Sequence, residues 1–170
     1  ESPLPNLHIL YLPNTPSDQY SEAFSQTSAQ IFDRLHAMSP FDAAWSDSAG
    51  AAGWSQLSKH RDQVPLIAVC HAGLTMMNAG PSRDFFATTH HTMLRRAAAI
   101  IAVSRTVAES IASGLPDSAS LLRIIPNGAD PALFQVPASD TAALRKELGL
   151  TDKPILLYLG RVVKEKGGED

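Results

Sequence analysis

Apolar residues along this chain fall into two rhythms. Short, nearly continuous apolar runs recur from residue 64 onward: Val64–Ala72 (VPLIAVCHA), Ala99–Ser104 (AIIAVS), Leu121–Pro126 (LLRIIP) and Pro154–Gly160 (PILLYLG). Runs of this kind predict strands buried on both faces of a parallel sheet. Between them lie segments of helical spacing, Phe85–Ala98, Thr106–Ser113 and Asp140–Leu148. Ser104 is placed to cap the second of these and Gly114 to stop it, and Gly149 closes the third. Upstream, Leu7–Leu12 reads as a strand closed by Pro13 and Asn14. Gln19–Met38 reads as a helix with Ala23, Phe24, Ile31, Phe32 and Leu35 on its apolar face, Ser17 as N-cap and Pro40 beyond its end. Phe41–Ser46 predicts a short buried strand, and Ala51–Lys59 a short helix.

Strands alternating with helices define the fold class. The chain should be α/β, a Rossmann-like parallel sheet with helices on both faces. Pro131–Thr141 is the best linker candidate, and there is no internal repeat.

Composition narrows the class without changing it. Hydrophobic residues make up 44% of the 170 residues and charged residues 18%, the balance of a folded globular chain. A net charge of -3 gives no global attraction to nucleic acid, which is not expected as a partner. No apolar run approaches the roughly 18 residues of a membrane span, and no charged start runs into an apolar leader. Cytoplasmic is the expected location. The first residue is Glu1, not Met, so the chain reads as processed or excerpted. Cys70 is the single cysteine; its place in an apolar strand predicts a buried core residue more readily than a reactive thiol.

In open parallel sheets ligands bind beyond the carboxyl ends of the strands. Four strand ends therefore carry the candidate chemistry: His71, Ser104, Asn127 and the pair Gly160–Arg161. Gly160 allows close approach of the backbone to a ligand. Arg161 can grip phosphate oxygens with its planar fork, and Lys166 can add a mobile charge. The segment fits neither the dinucleotide fingerprint nor the P-loop. On the residues alone, a phosphate site and a solvated charged turn both remain open. His71 stands where a side chain would project into a cleft, but composition alone favours a hydrogen-bonded histidine near the edge of the core. His90 and His91 point about 100° apart on a helix, without a carboxylate or cysteine at ligand spacing, so no metal is expected. Trp45 and Trp54 read as core, and Ser104 as an N-cap and not a nucleophile.

Two motifs in order carry a resemblance. Ile124–Phe134 (IIPNGADPALF) and Leu156–Gly168 (LLYLGRVVKEKGG) resemble the middle of a retaining GT-B glycosyltransferase of family 4. The matching positions are Pro126, Asn127, Gly128, Asp130 and Phe134, then Gly160, Arg161, Lys166 and Gly167. His71 at a strand end and AAAIIAVS before a helix fit the same pattern. The glycine-rich loop expected after the first strand is missing, and Gly168 stands where an apolar residue is usual.

The resemblance implies a nucleotide-sugar donor as substrate, no metal or other cofactor, and a saccharide or lipid-linked acceptor. His71 would contact the transferring sugar. Gly160, Arg161 and Lys166 would bind the donor diphosphate, and Asn127–Gly128 would form a structural turn near the cleft. Residues 1–135 would be the acceptor-side domain, 136–153 a linker and helix, and 154–170 the opening strand and turn of the donor domain. Such a piece would be inactive alone. Peripheral contact with the inner face of the membrane, and self-association through an open sheet edge, are further partners to look for. A flavodoxin-like binding module is the competing reading, and a sugar-nucleotide epimerase is disfavoured by the Gly-Arg to Lys-Gly spacing.

Overall fold

The computed structural model describes residues 7–9, 22–47, 53–74, 83–135, 137–150, 153–160 and 162. The chain divides into two compact units, Glu1–Asn127 and Gly128–Asp170.

In the first unit four strands form one sheet: Ala44–Asp47 (β1), Leu66–Cys70 (β2), Ala99–Ala102 (β3) and Leu122–Ile124 (β4). Their spatial order follows the sequence, and every neighbouring pair is parallel. Parallel neighbours need long crossovers, and helices supply them: Trp54–Leu57 (α2) between β1 and β2, Arg83–Arg96 (α3) between β2 and β3, and Arg105–Gly114 (α4) between β3 and β4. Glu22–Met38 (α1) precedes the sheet. The α/β, Rossmann-like reading of the sequence holds.

The core is built on alternate strand residues, which share one face of the sheet. Leu66, Ala68 and Cys70 of β2 join Ile100 and Ala102 of β3 in one buried cluster with Met93 and Leu94 of α3 and Val107, Ala108 and Ile111 of α4. Each large side chain buried here contributes roughly 1.5–3 kcal/mol. The two faces are covered unequally: Val69 is buried, whereas Ile67 and Ile101 are half-buried.

Helix α1 packs through Phe32 of its predicted apolar set, with Phe24, Ile31 and Leu35 half-buried, but its most buried positions are small residues. Ser25 and Ala29 are buried while Ala23 is exposed. The reason is close approach: a β-carbon on Gly53 would lie 1.9 Å from Ser25 Cβ, so only small residues fit where α1 meets the start of α2. Phe32 then reaches Trp54 edge-on at 4.4 Å. Ser58 Oγ donates to Asp33 at 2.5 Å and the Lys59 amide at 3.3 Å. Burial alone would raise the Asp33 carboxyl, but these hydrogen bonds and the His60 and Lys59 charges outweigh it and lower its pKa.

Several sequence expectations are corrected. Phe41–Ser46 was expected to be a buried strand, yet β1 is an outermost strand among the described residues and its Trp45 is 62% exposed; Trp54, by contrast, is in the core. Leu7–Ile9 form no strand, and residues 10–12 lie outside the described residues, as does Ser17. Pro154–Gly160 is not a strand either: Leu156 and Leu159 are 100% and 92% exposed. A strand needs a ladder partner, and the described residues of the second unit contain none.

The described residues of that unit form a 3-10 turn, Pro131–Phe134, and a helix, Ala138–Glu147 (α5). Asp130 Oδ1 accepts from the Ala132 amide at 2.9 Å and so caps the turn. The predicted linker over Pro131–Thr141 is thus largely ordered. Gly149 closes α5 as expected, with φ of 65° and its amide 3.2 Å from the Lys146 carbonyl.

Candidate active site at the strand ends

Parallel pairing brings all four strand ends to one edge of the sheet. Asp47, the last residue of β1, pairs with Val69, and Val69 with Ile101. One step further on, Cys70 pairs with Ala102 and Ala102 with Ile124. The ladder continues past the strands themselves, because the Val103 amide donates to the Cys70 carbonyl at 3.2 Å and the Ile125 amide to the Ala102 carbonyl at 3.0 Å. His71, Val103 and Ile125 therefore leave the sheet at the same level.

His71 is the chemically distinctive group at this edge. Its Nε2 lies 2.6 Å from Asp47 Oδ1, across from the neighbouring strand. The His71 side chain is 41% exposed and that of Asp47 66%, so both can be reached from solvent. The backbone beyond His71 is anchored. The Leu74 amide donates to Ser110 Oγ at 3.1 Å, and Gly73 lies against the same serine. Asp47 was missed by sequence reasoning, which ended the strand at Ser46; the signal available was a carboxylate ending the strand just before β2.

The other candidates separate. Ser104 is an N-cap, its Oγ accepting from the Val107 amide at 3.2 Å. Asn127 is exposed, two residues past Ile125. Gly128 opens the second unit with no atom within 4 Å of the place a β-carbon would occupy. Gly160 is exposed, with Tyr158 Oη 3.6 Å from that place. Arg161 and Lys166 lie outside the described residues.

Burial decides the roles of two other groups. His90 is 1% exposed; burial, with the neighbouring His91 charge, pushes its pKa down to about 4. Cys70 is fully buried, and burial pushes its thiol up to about 11, far from a nucleophile's range. Among the described residues no three His, Cys, Asp or Glu side chains are grouped to hold a metal ion, and no described helix is long and apolar enough to cross a membrane.

A small cavity of about 110 Å³ lies elsewhere, lined by Ser28, Phe32, Trp45, Ser46 and Trp54 among others. Ligand pockets typically span about 300–1,000 Å³, so this void suits a few waters and not a sugar nucleotide. The strand ends, not the cavity, hold the functional groups.

A parallel α/β sheet with polar groups at its carboxyl edge is shared by many Rossmann-like domains and is consistent with a GT-B glycosyltransferase domain; the family comparison makes the choice. Residues 2–133, well over half of the chain, match the family model described as Glycosyltransferase Family 4, and the protein belongs to that family. A search of curated proteins found no match.

Proposed function

We propose that the protein is a retaining glycosyltransferase that moves a sugar from a nucleotide-sugar donor to a saccharide or lipid-linked acceptor in the cytoplasm. The observation that carries this reading is His71, open to solvent and held by Asp47 at the carboxyl edge of the sheet, in a chain of this family. Residues 1–135 form the acceptor side, and 154–170 begin the donor domain. In this reading His71 contacts the transferring sugar, and Gly160, Arg161 and Lys166 hold the diphosphate.

In the reaction the acceptor oxygen bonds to the anomeric carbon as the bond from that carbon to the diphosphate breaks. The acceptor's proton passes to the departing phosphate oxygen on the same face, so configuration is retained. Arg161 and Lys166 neutralise the charge growing on the diphosphate, the task a metal ion performs elsewhere.

The test is to incubate the full-length protein with nucleotide sugars and candidate acceptors and to read the product's anomeric configuration by proton NMR. The expected product carries the donor's configuration. An inverted product would overturn retention, and failure to transfer a sugar from any of the donors would overturn the activity.

A further inference from the structure

We propose that Asp47 is a positioning residue for His71, fixing the tautomer that leaves Nδ1 free to accept a hydrogen bond from a hydroxyl group of the bound sugar. The inference rests on the glycosyltransferase reading for the identity of the ligand, and on this structure alone for the state of the histidine.

An ionised carboxylate can only accept hydrogen bonds. At 2.6 Å from Asp47 Oδ1, His71 Nε2 must therefore be the donor and carry the proton. In the neutral ring the lone pair then sits on Nδ1. His71 makes no other hydrogen bond among the described residues. A sugar presents hydroxyl groups that can donate to such a lone pair. An imidazole of the opposite tautomer would present its single N–H at Nδ1 and turn a lone pair toward the carboxylate.

The arrangement is built by the sheet. Asp47 closes β1 in register with Val69, and His71 follows two residues later, just past the end of the adjoining strand. The loop past His71 is held at Leu74 and Gly73 by Ser110 of α4. Backbone anchoring fixes where the ring starts, and the carboxylate fixes how it turns. Exposed ion pairs contribute little to stability, so removing Asp47 should leave the fold intact and expose its effect on His71.

The experiment labels the histidines of the full-length protein with nitrogen-15 and reads their tautomers from long-range proton–nitrogen correlations in alkaline buffer. The His71→Ala variant assigns the signal. Wild type should show the Nε2–H form, and Asp47→Ala a mixture of both forms. In transfer assays Asp47→Ala should lower kcat about tenfold with little change in donor KM, the worth of one misdirected hydrogen bond in the transition state. Adding Asp47→Ala to His71→Ala should cost nothing further. An Nδ1–H tautomer in wild type would overturn the proposal, as would Asp47→Ala with wild-type kcat where His71→Ala loses activity. If the full-length protein transfers no sugar, the glycosyltransferase reading fails, while the tautomer measurement still decides the pairing.

Discussion

Gly73 lies so close to Ser110 that a β-carbon on it would fall 2.6 Å from Ser110 Oγ and 2.8 Å from its Cβ. The serine hydroxyl meanwhile receives the Leu74 amide. This couples the loop after β2, which begins with His71, to helix α4. Gly73→Ala should overpack the junction and destabilise the protein by about 1–3 kcal/mol. Ser110→Ala should cost about 1 kcal/mol through the lost hydrogen bond. Urea denaturation midpoints check both, and a Gly73→Ala midpoint equal to wild type would show that the loop is not pinned there.

His90 makes stability depend on pH. Its folded pKa of about 4 lies below the unfolded value near 6.5, so the unfolded chain takes up a proton first as pH falls. The neutral buried ring contributes fully above about pH 6.5, and its contribution is lost progressively as pH falls toward 4. The loss amounts to about 3 kcal/mol. His90→Gln should flatten that part of the stability–pH curve, measured by denaturant titration at successive pH values. Parallel curves for variant and wild type would show that His90 is not the group responsible.

Cys70 offers a clean probe, being the only cysteine. Its thiol is fully buried and raised to about 11. A thiol reagent at neutral pH should leave the native protein unlabelled and modify it only at the rate of opening, which rises with added denaturant. Complete labelling within the mixing time would contradict a closed core at the carboxyl end of β2.

Much of the fold was legible because local signals agreed with the tertiary outcome. The continuous apolar runs at β2 and β3, the Ser104 cap and the Gly149 closure each needed nothing beyond neighbouring residues. Trp45 and Pro154–Gly160 were misread for one shared reason. Apolar character announces a wish to be buried, but burial depends on a partner that the local sequence does not name. The face of α1 was legible only in part: Phe32 packs on the core, but the close approach of Gly53 to Ser25 puts a small polar residue among the most buried positions. At the site, His71 was visible from its place after an apolar strand. Its partner Asp47 was not, because only the register of β1 against β2 brings two residues so far apart in sequence together.

The proposed reaction has Arg161 and Lys166 clasp the diphosphate of a nucleotide-sugar donor, and steady-state kinetics of the full-length enzyme measure that contact. Donor is varied at fixed acceptor for wild type, Arg161→Ala, Lys166→Ala and Arg161→Lys. Each alanine variant removes a charge-assisted contact worth about 1.5–3 kcal/mol, which strengthens as the nucleotide departs and so lowers kcat as well as donor affinity. Arg161→Lys should recover little, since an ammonium cannot reproduce the planar fork. Wild-type kcat/KM in both alanine variants would contradict the account and reduce the Gly160–Lys166 segment to a charged turn.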